Sequence, residues 1–132
     1  MADIRIGTKG EFRTRVSNEN AISFLGLEDA RVLSTPQMIL LMEKTSRDTV
    51  LPLLDAGHDT VGTHVNVAHL AAAPLGSDVT VRTEVIGVKE RRIEFRVEVA
   101  TSVEKIGEGT PQRTIIDVAR FAAKQAKKKS GG

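Results

Sequence analysis

The segment that decides the fold is Ser34-Thr35-Pro36-Gln37-Met38-Ile39-Leu40-Leu41-Met42-Glu43-Lys44. A hydroxyl residue followed directly by proline favours a helix start, because the hydroxyl oxygen can accept from a free helix N–H and proline has no N–H to leave unpaired. The apolar side chains at 38–42 then lie on nearly all sides of the helix, which is typical of a helix enclosed by other structure. We therefore expect one long enclosed helix that kinks or ends at Pro52.

After the helix, apolar and polar residues alternate with the two-residue period of β-strands. Four strands are expected, and their bounds are Thr60 to Ala71, 79–85, 92–99 and Thr110 to about Phe121. Gly107 and Gly109 break the chain before the last of them. Such alternation places one face of a sheet on a core and the other in water, as antiparallel sheets allow.

Two further elements are expected before the helix. Residues Gly10 to Val16 alternate weakly and predict an edge strand. The polar run Asn18-Glu19-Asn20, followed by apolar residues up to Leu25, predicts a short helix that ends near Gly26. Because no helix intervenes between the later strands, a parallel βαβ arrangement is excluded. The element order predicts an α+β fold, with an antiparallel sheet wrapped around one long central helix.

Composition excludes several functional classes. The chain of 132 residues contains no Cys, so disulfides, thiolate metal sites and a cysteine nucleophile are excluded. Aromatic residues make up only 3%, which argues against modules that stack nucleic-acid bases. The sequence shows no signal peptide and no apolar run long enough to span a membrane. We expect a cytoplasmic protein with no nucleic-acid or membrane partner.

The net charge of +2 comes from one end of the chain. Without Lys124, Lys127, Lys128 and Lys129 the balance is slightly acidic. We therefore expect a single domain over 1–123 and a basic, flexible, solvated tail over 124–132. A phosphate-binding role for the tail stays open.

Four separated motifs share a more specific pattern. They are Ser34-Thr35-Pro36, Leu41-Met42-Glu43, Gly62-Thr63-His64-Val65-Asn66-Val67-Ala68-His69 and Gly109-Thr110-Pro111-Gln112-Arg113. Together they resemble the fluoroacetyl-CoA thioesterase-like branch of the hotdog-fold acyl-CoA thioesterases, over about Gly7 to Lys124. The resemblance implies a hotdog fold, a homodimer and hydrolysis of a small acyl-CoA thioester to the free acid and CoA. Pairing of dimers into tetramers stays open.

The resemblance also implies a set of site residues. A Thr before the central helix, a Glu within it and a His on the next strand form the family's catalytic set, and these fall on Thr35, Glu43 and His69. Substrate contacts would fall on Gly62, Thr63 and Arg113. No metal or other cofactor is expected, since CoA is part of the substrate. Residues 30–33 do not carry the aromatic gate associated with fluoroacetate selectivity, so thioesterase chemistry is implied more strongly than that substrate.

Each of these residues could also have a purely structural role. A carboxylate next to an apolar run needs a partner if it is buried, although Glu43 can also lie on a wet stripe of the helix. Histidine titrates near neutral pH and suits proton transfer, but His69 can equally be a core residue. Thr35 can be a plain helix cap, and Gly62 can be a strand-start glycine. Arg113 can be a strand partner or an anchor of Glu43.

Helix geometry separates two of the candidate residues. Thr35 and Glu43 lie eight residues apart, which corresponds to about 12 Å of helix rise, too far for a direct hydrogen bond. Either the two residues address different parts of the substrate, or each meets residues of the other subunit. Because the resemblance implies an active site at the dimer interface, we expect Glu43 and His69 to come from opposite chains. A Glu43→Gln variant is expected to lose turnover with a nearly unchanged melting curve. Two rival functions remain, a non-catalytic acyl-CoA binding module and a hotdog enoyl-CoA hydratase.

Overall fold

The computed structural model describes residues 3–131. Its elements, in chain order, are β1 (Lys9–Arg15), β2 (Ala21–Phe24), β3 (Leu27–Leu33), α1 (Thr35–Val50), β4 (His58–His64), β5 (Val67–His69), β6 (Asp78–Lys89), β7 (Arg92–Ala100), β8 (Lys105–Gly109), β9 (Gln112–Asp117) and α2 (Val118–Gly131). A short 3-10 turn, Leu51–Leu53, follows α1. No helix in the described part of the chain is long and apolar enough to cross a membrane.

Seven of the strands form one antiparallel sheet. β1 pairs with β6, and β6 pairs with β7. Along its length β7 pairs first with β9, through 92–94, and then with β8, through 97–100. The outer partners follow the same division, because β4 pairs with β9 and β5 pairs with β8. β4 with β5, and β8 with β9, are therefore each one strand path with an interruption.

The core lies between α1 and one face of this sheet. Alternate residues of β6 and β7 are buried, and Phe95 is the largest of them. They pack with Met38, Met42 and Val50 of α1. This alternation of buried and exposed residues is the expected antiparallel sheet on a helix, and the α+β prediction is confirmed. Loss of Phe95 to alanine would cost about 3 to 5 kcal/mol of folding free energy.

Helix α1 begins and ends as the sequence predicts. Ser34 caps it, with its Oγ accepting from the backbone N–H of Gln37 at 3.3 Å. Regular helix ends at Val50, directly before the turn that contains Pro52. The expectation that α1 is enclosed on nearly all sides is wrong for the single chain. Its buried stripe includes the polar side chains Thr45 and Ser46, while the apolar Leu40 is 55% exposed.

The short helix expected over 18–25 is also wrong. Residues 21–33 instead form the hairpin of β2 and β3, which turns at Leu25 and Gly26, both with positive φ. The preceding asparagines make a turn, because the Asn20 side chain accepts from the Ser17 N–H at 2.8 Å. Asn favours such local side-chain bonds over the interior of a helix. The hairpin is joined to the domain at its base, where the Leu33 N–H donates to the Ala73 carbonyl at 2.9 Å.

The strand expected from Thr60 to Ala71 is interrupted. Val65 and Asn66 lie between β4 and β5, and Asn66 bonds to Thr110 in the gap between β8 and β9. The N–H of Thr110 donates to the Asn66 carbonyl at 2.8 Å, and the Asn66 side chain donates to the Thr110 hydroxyl at 3.0 Å. The two interruptions therefore stabilise each other. Because of the interruption at Val65 and Asn66, the side chains from Gly62 to His69 do not simply alternate between the two faces of one strand.

The end of the chain differs from its prediction in two respects. Gly107 and Gly109 lie within β8, where the absence of a side chain at Gly107 leaves room for the Met38 sulfur. The last strand ends at Asp117, and α2 follows without a gap. The boundary expected at 123 lies inside α2, so residues 124–131 of the predicted tail are helical. Their flexibility stays a prediction, and residue 132 lies outside the described part.

Candidate active site

Thr35 and His69 form the first of two polar groups. The Thr35 Oγ1 lies 2.7 Å from the His69 Nδ1. Thr35 is the first residue of α1 and is exposed, while His69 is the last residue of β5 and is half-buried. The helix start and the edge of the sheet therefore bring together two of the three residues that the resemblance makes catalytic. We name this group the Thr–His pair.

The second nitrogen of the His69 ring has no partner within the described chain. Nε2 is buried and makes no hydrogen bond there. A buried ring nitrogen without a partner is costly, because it has lost water and gained nothing in return. Whichever nitrogen carries the proton, the imidazole has one more hydrogen bond to make. A substrate or a second subunit is a natural source of that bond.

Glu43 belongs to a second polar group. The Arg113 Nη1 donates to the Glu43 Oε2 at 2.7 Å, and the two side chains are only 8% and 18% exposed. Arg113 is itself held by Thr60, whose hydroxyl accepts from Nε at 2.8 Å and whose carbonyl accepts from Nη2 at 2.9 Å. Each guanidinium nitrogen therefore has a partner in its own chain. Arg113 is placed to hold Glu43, and its predicted contact with the substrate stays a prediction from the resemblance.

Gly62 completes the surroundings of the carboxylate. A Cβ atom built on Gly62 would lie 2.8 Å from the Glu43 Oε1 and 3.4 Å from the Arg113 Nη1. Oε1 is the oxygen that Arg113 does not use, so it faces the bare backbone of Gly62, which is exposed. Gly62 is also the cross-strand neighbour of Arg113. We name Glu43, Gly62 and Arg113 the carboxylate group.

Thr63 joins neither group. Its hydroxyl lies 3.2 Å from the Thr114 hydroxyl and donates to the Gln112 carbonyl at 3.4 Å, both on the neighbouring strand β9. The side chain is exposed. Its assignment as a substrate contact therefore stays a prediction from the resemblance. The structure gives it a second role as a link between β4 and β9.

Sequence reasoning missed a second ion pair beside the carboxylate group. One turn after Glu43, Arg47 donates to both Asp59 oxygens, at 2.9 and 2.7 Å. The guanidinium of Arg47 lowers the pKa of the Asp59 carboxyl, which also accepts from the Thr60 N–H at 2.6 Å. Two ion pairs on consecutive turns thus fix α1 against β4 and β9. The spacing of Glu43 and Arg47 was visible in the sequence, but their partners depend on strand register.

The Thr–His pair and the carboxylate group are separate in one chain. They lie at the two ends of the segment from Thr35 to Glu43, whose helical rise is about 12 Å. Glu43 bonds to Arg113, and Thr35 contacts His69. This agrees with the expectation that Thr35 and Glu43 do not bond directly. Within residues 3–131, no three His, Asp or Glu side chains converge as metal ligands.

A pair of substitutions at Thr35 tests the function of the Thr–His pair. Thr35→Ser keeps the hydroxyl 2.7 Å from the imidazole, whereas Thr35→Val removes it and keeps the side-chain size. We expect Thr35→Val to lower kcat by about tenfold to a hundredfold, since a misoriented imidazole transfers a proton poorly. Thr35→Ser should keep most activity. Equal loss in both variants, or in neither, would contradict a role for the hydroxyl.

Comparison with known proteins identifies the family. A family model described as fluoroacetyl-CoA-specific thioesterase (FlK) matches residues 16–119, which include both polar groups. The chain belongs to this family. A fluoroacetyl-CoA thioesterase from Streptantibioticus cattleyicolor is 37% identical over 105 residues, which are 80% of this chain and 76% of that relative.

Solved structures of the FlK family and of other thioesterases superpose on this chain. The fluoroacetyl-CoA thioesterase FlK gives a TM-score of 0.85 at 32% identity, covering 96% of this chain and 98% of that one. A thioesterase-superfamily protein of Thermus thermophilus gives 0.88 at 28% identity, covering 98% of this chain and 96% of that one. A hot-dog-like protein of Thermanaerovibrio acidaminovorans, 23% identical over 96% of this chain and 93% of that one, shares the fold with a TM-score of 0.85.

These matches confirm three predictions from the sequence. The fold is a hotdog, and the resemblance to the FlK branch is a true family relationship. As a member of the FlK family, the chain is an acyl-CoA thioesterase that hydrolyses a small acyl-CoA thioester. The two rival functions, a binding module and a hydratase, are therefore not favoured. The roles of individual residues are a separate question.

Proposed function

We propose that this thioesterase works as a homodimer in which the carboxylate group of one subunit faces the Thr–His pair of the other. The observation that carries this proposal is the separation of two incomplete groups within one chain. Oε1 of Glu43 faces an exposed glycine, and Nε2 of His69 is buried without a partner in the described chain. A second copy of the chain can bring its His69 imidazole to Glu43 and its Glu43 carboxylate to His69.

The surface around both groups supports pairing of two subunits. Leu40 lies between Thr35 and Glu43 on α1 and is 55% exposed. Val65 lies in the interruption between β4 and β5 and is 49% exposed. Exposed apolar side chains near both groups gain free energy when a second protein surface covers them. β5 is also at an edge of the sheet, where a strand of a second copy can pair.

The proposed chemistry is hydrolysis at the thioester carbonyl carbon. Glu43 acts on that carbon either as a nucleophile or as the base that takes a proton from the attacking water. In the base route the water oxygen bonds to the carbonyl carbon and the C–S bond breaks. In the nucleophile route a Glu43 oxygen bonds to that carbon as the C–S bond breaks, and water then hydrolyses the mixed anhydride, which frees the acid and restores the Glu43 carboxylate. In both routes CoA leaves as a thiolate that gains a proton. The products are the free acid and CoA, and no oxidant or other co-reactant is needed.

Each remaining residue has one task in this scheme. Arg113 holds the Glu43 carboxylate aimed past Gly62, since one carboxylate oxygen is bound and the other is left free. The Gly62 N–H donates to the oxygen that becomes negative, which a backbone without a side chain can approach closely. His69 moves a proton, and Thr35 orients its ring. Thr63 contacts the substrate from the neighbouring position on β4.

The experiment for the proposed chemistry is release of free thiol from acyl-CoA esters, measured with a thiol reagent. The wild-type enzyme should release CoA from at least one short, branched or aromatic acyl-CoA, with equal amounts of free acid. Tight binding of CoA esters without thiol release would point to a binding module. Consumption of an enoyl-CoA without thiol release would point to a hydratase.

The absence of cysteine leads us to propose a cytoplasmic location for the enzyme.

A further inference from the structure

A groove open to solvent lies directly beside the Thr–His pair. It has a volume of about 520 Å³, and both Thr35 and His69 are among the residues that line it. One wall is the hairpin of β2 and β3, which contributes Ile22, Phe24 and Val32. We name this feature the hairpin groove. Its position makes it continuous with one half of the proposed site.

The lining of the hairpin groove is apolar and carries no fixed charge. Among the described residues that line it, none is Asp, Glu, Lys or Arg. Only Ser34, Thr35 and His69 are polar, and they lie together at the start of α1 and the end of β5. Three of the apolar lining residues are well exposed: Ile22 by 41%, Phe24 by 52% and Leu70 by 53%. Such a surface gains from contact with apolar groups and offers a charged group no partner.

The extent of the apolar lining exceeds what a two-carbon acyl group can cover. An acetyl group at the polar end of the groove would leave Phe24 and Ile22 of the hairpin uncovered, at 52% and 41% exposed. A chain of several methylene groups would extend along the hairpin and cover them.

We propose that the hairpin groove binds the acyl part of the substrate, and that the preferred substrate class is an uncharged aliphatic acyl-CoA of about four to eight carbons. This inference rests on the proposed function, because it takes the Thr–His pair as part of the active site. It goes beyond that proposal in naming the acyl class. The thioester carbonyl lies at the polar end of the groove, and the chain runs along the hairpin over Phe24 and Ile22.

The test is kcat/KM of the native oligomer for acetyl-, fluoroacetyl-, butanoyl-, hexanoyl-, octanoyl- and succinyl-CoA. Each added methylene that becomes buried should raise kcat/KM by about fourfold, so hexanoyl-CoA should exceed acetyl-CoA by on the order of a hundredfold. Succinyl-CoA should be poor, because its second carboxylate would enter an uncharged groove. A flat series, or a preference for the acetyl or fluoroacetyl ester, would overturn the inference. If no ester in the series releases thiol, the proposed function itself fails.

A matched pair of variants assigns the preference to the groove. Phe24→Ala removes a groove wall and should lower the ratio of hexanoyl to acetyl kcat/KM by about tenfold. Leu25→Ala is the control, since Leu25 is 97% exposed at the turn of the same hairpin and does not line the groove. Its ratio should match wild type. A second outcome would also overturn the inference. If Phe24→Ala leaves the ratio of hexanoyl to acetyl kcat/KM unchanged but weakens subunit association in sedimentation, a second copy of the chain covers the groove.

Discussion

Glu43→Gln is expected to lower kcat/KM by about a thousandfold, the largest effect of any single substitution in the proposed site. The amide keeps the size of the side chain but can neither attack the thioester nor accept a proton from water. The measurement is thiol release with the best ester of the acyl series. Glu104→Gln is the matched control, because Glu104 is exposed in the loop between β7 and β8 and belongs to neither polar group. Near-normal turnover in Glu43→Gln would remove Glu43 from the mechanism.

The same substitution also affects stability, contrary to the expectation from sequence. Arg113 is 7% exposed, and Glu43 is the carboxylate with which it forms an ion pair. A glutamine oxygen can still accept a hydrogen bond from Nη1, but the buried guanidinium loses its counter-charge. We expect a loss of about 1 to 3 kcal/mol in the free energy of unfolding. Kinetics must therefore be measured well below the melting temperature of the variant.

Gly62→Ala is expected to lower kcat/KM by about a hundredfold. The added Cβ would lie 2.8 Å from the Glu43 Oε1, closer than real Cβ contacts, so the carboxylate must turn away or the strand must move. Either change spoils the position of the catalytic oxygen and crowds the backbone that the thioester is proposed to approach. The loss should be mainly in kcat, since the rest of the substrate site is unaltered.

Gly87→Ala is the control for this substitution. Gly87 also lies in a strand of the same sheet, but its added Cβ would meet the Glu94 Cβ at 3.6 Å, an ordinary contact distance. Both variants change glycine to alanine in a β-strand, so they differ in the neighbour that the methyl group meets. Wild-type kcat in Gly62→Ala would show that neither the free carboxylate oxygen nor the glycine backbone takes part in the reaction.

The elements that the sequence predicted well are those whose signal is local. The cap at Ser34 with Pro36 set the start of α1, and strict alternation set β6 and β7. The hairpin at 21–33 was missed because Asn18-Glu19-Asn20 looks like a helix start, whereas the Asn20 side chain closes a turn instead. The interruption at Val65 and Asn66 was missed for a different reason. It depends on Thr110, which is distant in sequence.

The candidate site was predictable as a set of residues but not as a geometry. Motif resemblance located Thr35, Glu43 and His69, and helix rise alone indicated that Thr35 and Glu43 are apart. The pairing of Glu43 with Arg113 and the closeness of Gly62 follow from the register of β4 on β9, which no local pattern encodes. The apolar hairpin groove likewise depends on how β2 and β3 fold back beside α1.

The most direct test of the account is a mixed dimer of two inactive subunits, one Glu43→Gln and the other His69→Ala. The two chains are co-expressed with different affinity tags, and the heterodimer is purified through both. A site shared between subunits leaves one intact and one doubly damaged site, so the heterodimer should release thiol at about half the wild-type rate per dimer. Heterodimers as inactive as the two parent variants would contradict the shared site and would mean that Glu43 and His69 of each site belong to the same chain.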